Sequence, residues 1–185
     1  MIVSLALSDA FLFCICFYIL LTGSQFVTFK FGVFLVSAAS FLGVMKFSEI
    51  FPLPSLHAFF SSLSASSAIL MIMVGVIWRD RLIATSLRYA WILFVSSAAV
   101  TLIMSNAFGF IYFGYTIAGV STIAIIFHQA ILKNRDGLIG GIFLLVGFFI
   151  FLTKIEVVAI LKPGDYLHFF MAMGVYKLSR TTGLV

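Results

Sequence analysis

The stretch Lys162-Pro163-Gly164-Asp165-Tyr166-Leu167-His168 opens the last apolar segment of the chain with a turn, then sets two ionisable residues three apart. Pro-Gly ends whatever precedes it, and Asp165 and His168 share one face of the helix that follows. The segment from 164 to 182 therefore reads as a membrane crossing with polar residues at its entrance.

Working outward, the rest of the chain has the same character. Of its 185 residues 63% are hydrophobic and only 9% charged, and mean hydropathy is +1.25. A soluble domain cannot hide that much apolar surface in one core, so the expectation is an all-α integral membrane protein. The 23 Phe suit lipid contact, and no stretch combines low hydrophobicity with a charge run. Residues 1–185 read as one transmembrane domain.

Breaks at Gly, Pro, Asn and charge clusters, with about 17–25 apolar residues per crossing, predict seven spans at 2–21, 27–46, 53–78, 84–104, 107–131, 138–161 and 164–182. Short connections make adjacent spans antiparallel neighbours, and backbone satisfaction in lipid requires helices. The basic residues agree with this count. Lys30, Arg79, Arg81, Arg88, Lys133, Arg135, Lys177 and Arg180 fall on one side, Lys46 and Lys162 on the other, and Lys154 within a span. The positive-inside rule then puts the N-terminus outside and the C-terminus in the cytoplasm, in a bacterial inner membrane or its equivalent. The net charge of +5 resides in the cytoplasmic loops and gives no ground for nucleic-acid binding. Membrane lipids are the expected partners, with a second copy of the chain or another membrane subunit left open. The first segment lacks a basic lead-in and contains Asp9, so it reads as a retained span, not a signal peptide. Cys14 and Cys16 point roughly 200° apart on that helix, so they cannot pair with each other.

Small residues are expected at helix contacts: Ser61, Ser64, Ala65 and Ala68 in the third span, Ser96 to Ala99 in the fourth, and Gly109, Gly114 and Gly119 in the fifth. Ionisable groups are the exceptions that need a reason, since each costs about 2.5–3.5 kcal/mol in a span. Asp9, Glu49, His57, Asp165 and His168 all fall on the outer side. Lys154 and Glu156, two apart on different faces, are expected to pair across helices, Lys154 with Asp9 or Asp165 and Glu156 with Lys46.

Two imidazoles, a carboxylate and an open position match a catalytic zinc site. His57 and His168 are the expected nitrogen ligands, with Asp165 or Asp9 as the oxygen ligand. The remaining carboxylates, Glu49 among them, are the expected general base or the support of a ligating imidazole. Ser61 and Ser64 continue the His57 face and are placed to line a cavity.

Seven spans, a His near the junction of the second and third, and Asp165-Tyr166-Leu167-His168-Phe169-Phe170-Met171-Ala172-Met173-Gly174-Val175-Tyr176 at the seventh resemble the CREST superfamily. That group includes alkaline ceramidases, the progestin and adiponectin receptor family and haemolysin-III-like proteins. The resemblance implies a seven-helix, zinc-dependent hydrolase of a lipid-like or amide substrate. The chain departs from the pattern in two places. The family's second seventh-span His is missing, since Gly164 and Ala172 flank His168 at that spacing, and Leu53 stands where a Ser precedes the first His. Three other classes remain: a b-type haem held between His57 and His168, a proton or ion relay through Asp9, Lys154, Glu156 and Asp165, and a non-enzymatic subunit or receptor-like protein.

Overall fold

The computed structural model describes residues 3–22, 26–51, 53–110, 112–155, 158 and 160–182. Every regular element among them is helical. In chain order these are α1 (Val3–Thr22), α2 (Val27–Phe47), α3 (Pro54–Leu63), a π-helical turn (Ser64–Ala68), α4 (Ile69–Ile77), α5 (Leu82–Thr85), α6 (Leu87–Asn106), α7 (Phe113–Ile131), α8 (Arg135–Thr153) and α9 (Pro163–Thr182). Pro54 and Pro163 each occupy the first helical position, where a missing N–H costs nothing. Asn134 caps α8 by accepting the Gly137 N–H at 3.2 Å.

Six rods are long and apolar enough to cross a membrane: α1, α2, the continuous 24-residue rod Pro54–Ile77, α6, α7 and α8. The last helix, α9, has 20 residues but carries Asp165, Lys177 and Arg180, which set it apart from these six. It nevertheless packs along its length between α1 and α8. Its face of Leu167, Met171, Ala172, Val175 and Leu178 is buried.

The third rod is the centre of the bundle. Its apolar window is 72% buried against 17% for α6, and it touches α2, α6 and α7 while α1, α8 and α9 complete the surround. Ile69, Ile72, Phe29, Val33, Ile125 and Leu144 form the core around it. Large apolar side chains on the outside of α6, including Trp91, Ile92, Val95 and Val100, are exposed, as lipid-facing residues are. The π-helical turn falls in the serine run, where the Ser66 hydroxyl donates to the Ser62 carbonyl at 2.9 Å and competes with the regular ladder.

Several expected boundaries shift. The fifth crossing begins at Phe113, not 107, because Gly109 turns the chain at φ +69°. The sixth ends at Thr153, not 161, with Lys154 in the left-handed position at φ 54°. Lys154 is therefore exposed beyond the end of a helix and not inside a span. Of the three glycines expected at contacts, Gly114 packs against the third rod, its Cβ position 3.5 Å from Ser66 and 3.7 Å from the Ser62 carbonyl, and the other two do not. A Cβ would meet nothing within 4 Å at Gly109 or Gly119, whereas at Gly140 and Gly174 it would strike the facing helix's backbone carbonyl at 3.0 and 2.9 Å. These two glycines let α8 and α9 touch backbone to backbone. Gly32 and Gly75 do the same for α2 against the third rod.

Candidate functional site

At the end of the bundle where α1, α3, α7 and α9 begin and α2 and α8 finish, the helices enclose a cavity of about 550 Å³. Such a volume suits a small ligand. Leu12, Ala39, Phe148 and Met171 supply apolar wall; Asp9, His168, His57, Lys46, Lys162 and Ser61 supply polar groups.

His168 is held from two directions. The Ser8 hydroxyl donates to Asp165 Oδ1 at 2.7 Å and lies 3.0 Å from His168 Nδ1. A hydroxyl has one proton, and with that proton on Asp165 the Ser8 oxygen accepts from Nδ1–H. The other nitrogen, Nε2, faces Asp9 Oδ1 at 3.5 Å. Asp9 is 1% exposed. Its Oδ2 lies over Gly43, where any Cβ would collide with it, and this oxygen has no hydrogen-bond partner among the described residues. A buried oxygen without a donor is costly, and Thr122 Oγ1, Gln129 Oε1 and Tyr166 OH are in the same position among the described residues.

Asp165 is fully buried and spent on structure. Its Oδ2 accepts the Lys162 N–H at 2.7 Å, closing the first turn of α9, while Oδ1 holds Ser8. It thus orients His168 through Ser8, much as a third group orients a catalytic base.

His57 lines the same cavity from α3. Lys46 Nζ stands 3.4 Å from its Nδ1 and Ser61 Oγ 3.4 Å from its Nε2, and the Phe47 ring meets it edge-on at 5.6 Å. The structure thus brings Asp9, His57 and His168 to one cavity and leaves Glu49 exposed just beyond α2 at φ 62°. Lys154 does not line the cavity, and Glu156 lies outside the described residues. His128 is at the far end, 3.1 Å from the Gln129 amide.

Around the expected zinc ligands, an ammonium occupies the approach to His57 Nδ1, both Asp165 oxygens are engaged, and among the described residues no three His, Cys, Asp or Glu side chains stand together to hold a metal. Each ring nitrogen of His57 and His168 faces a protein group.

Ser8 and Lys46 are the site residues that sequence reasoning passed over or assigned elsewhere. Ser8 gives no signal of its own, being a common residue beside a rarer Asp. Lys46 could have been linked to His57 once the second and third rods were taken as neighbours joined by a short turn.

No protein-family model, curated protein or solved structure matches the chain.

Proposed function

We propose that this protein is a seven-crossing membrane hydrolase of lipid-like esters or amides, with α9 as the seventh span and the cavity opening to the outer side. The observation that carries this reading is the His168 imidazole. It is fixed at Nδ1 by Ser8 and Asp165, and presented at Nε2 to Asp9 on the wall of a largely apolar cavity.

In this reaction a water oxygen adds to the substrate's acyl carbon and the bond from that carbon to the leaving oxygen or nitrogen breaks. The proton lost by water passes to the His168–Asp9 pair, and the pair returns a proton to the leaving atom. The carboxyl suits that exchange because it can give a proton at Oδ1 while taking one at Oδ2. A base so positioned contributes about 100- to 10,000-fold, and the apolar wall keeps bulk water away from the pair.

Nitrophenyl octanoate and dodecanoyl nitroanilide, assayed with the purified chain in detergent, test the reading. His168→Gln and Asp9→Asn each lower turnover by about 100-fold or more, and chelator leaves the wild-type rate unchanged. Wild-type protein inert on both substrates, or variants as fast as wild type, would overturn it. A rate lost to chelator and restored by zinc would move the chemistry to a metal. The orientation is tested separately in a background without Cys14 and Cys16. A cysteine at Phe108 labels from outside and one at Asp80 only from the cytoplasm; the reverse pattern inverts the topology.

A further inference from the structure

Two lysines at the cavity mouth make no hydrogen bond or ion pair with Asp9 or His168. Lys46 closes α2 and Lys162 immediately precedes α9, and both line the cavity. Among the described residues no carboxylate lies within ion-pair distance of either ammonium. Lys46 Nζ rests instead 3.4 Å from the His57 ring nitrogen and 4.9 Å over the Phe47 ring. A ring nitrogen and an aromatic face are weak partners for an ammonium compared with an oxyanion.

The contrast with the same chemistry elsewhere in the bundle is direct. Lys177, at the far end, makes a 2.7 Å ion pair with Asp136. Beneath the two mouth lysines the wall is mostly apolar, with Leu12, Ala39, Phe148 and Met171 beside the hydroxyls of Ser40 and Ser64. Leu12 and Met171 sit three residues, about 4.5 Å of helix rise, beyond Asp9 and His168 respectively.

A cavity with two unmatched ammoniums at its mouth, an acid–base pair below them and an apolar floor is complementary to one kind of molecule. We propose that the ligand is a single-chain amphiphile with an anionic head, carboxylate or phosphate, held by Lys46 and Lys162, with its acyl chain on the Leu12–Met171 floor. This deepens the hydrolase reading and rests on it for the reaction. The bond cleaved is the ester or amide next to the charged head, as in an N-acyl amino acid. His57 supports Lys46 by accepting one of its protons at Nδ1, while its Nε2 is steadied by Ser61.

Binding is measured on the full chain in dodecyl maltoside by the fluorescence of cis-parinaric acid and of its methyl ester. Wild type binds the acid at least tenfold more tightly than the ester. Lys46→Gln with Lys162→Gln removes that preference, Lys46→Arg with Lys162→Arg keeps it, and Lys154→Gln, outside the cavity at the same end, leaves it untouched. Dodecanoate and dodecyl phosphate both displace the probe if the site reads an oxyanion in general, and one alone does so if it reads carboxylate or phosphate specifically. Equal binding of acid and ester by wild type, a preference that survives the double Gln change, or displacement by neither anion would overturn the proposal. His168→Gln separates the two readings, because it abolishes turnover but retains the preference for the acid. Preference for the acid without turnover in the wild type leaves the anion site standing and removes the hydrolase.

Discussion

The two ends of this bundle solve the same problem in opposite ways. At the far end the charged pair and the caps are matched, Lys177 to Asp136 at 2.7 Å, Thr28 to the Ala84 carbonyl at 3.2 Å and Asn134 to the Gly137 N–H at 3.2 Å, while the buried Gln129 amide oxygen there has no donor among the described residues. At the cavity end Asp165 is matched twice over, yet beside it Asp9 keeps one oxygen without a donor, and Lys46 leans on a ring nitrogen. Matched charges stabilise a helix junction, while unmatched ones cost stability and persist where something else must bind. For the charged side chains the difference separates a pair that holds the bundle together from the residues proposed above to act.

Asp165 gives the largest expected effect, and it tests whether that division runs through a single cluster. Asp165→Ala strands the Lys162 N–H and leaves the Ser8 hydroxyl only the Leu5 carbonyl, 3.1 Å away, and hydrogen bonds to a carboxylate contribute about 1.5–3 kcal/mol each. The melting temperature in detergent should fall sharply, and turnover with it, because His168 loses its support. An unchanged melting temperature would place Asp165 with the acting residues instead.

Gly43 probes the other side of the division. Any Cβ there collides with Asp9 Oδ2, so Gly43→Ala pushes the carboxyl away from His168 without touching either catalytic side chain. A displacement of about 1 Å can cost roughly 100-fold in rate, while the helix gains a better helix former. The expected outcome is a large loss of turnover with little loss of stability. Turnover equal to wild type would mean that Asp9 contributes nothing at its present position.

Much of the helical layout was legible in the sequence, because apolar length and Pro, Gly and charge breaks are properties of contiguous residues. The third rod was read to within a residue at each end, 53–78 against Pro54–Ile77. The misplaced edges at 107 and 161 fall where apolar residues continue past the helix, so that hydropathy alone does not register Gly109 or Lys154 turning the chain. The glycine contact between α8 and α9 was illegible for a different reason. Gly140 and Gly174 touch only because α8 and α9 cross there, and nothing near either residue names the other. At the site, Asp9, His57 and His168 stood out because ionisable groups are rare in apolar helices. Ser8 and the pairing of Lys46 with His57 required side-chain directions that spacing does not give. The same limit hid that the Asp165 carboxylate also closes the first turn of its helix.

The comparison between the ends is tested most directly by measuring turnover of nitrophenyl octanoate and the melting temperature on the same two preparations, Asp9→Asn and Lys177→Met. Removing an unmatched buried acid should abolish turnover and leave the melting temperature unchanged or raised. Removing the half-exposed Lys177 partner should leave turnover intact and lower the melting temperature slightly. Full turnover in Asp9→Asn, or an equal loss of turnover in both variants, would contradict the account.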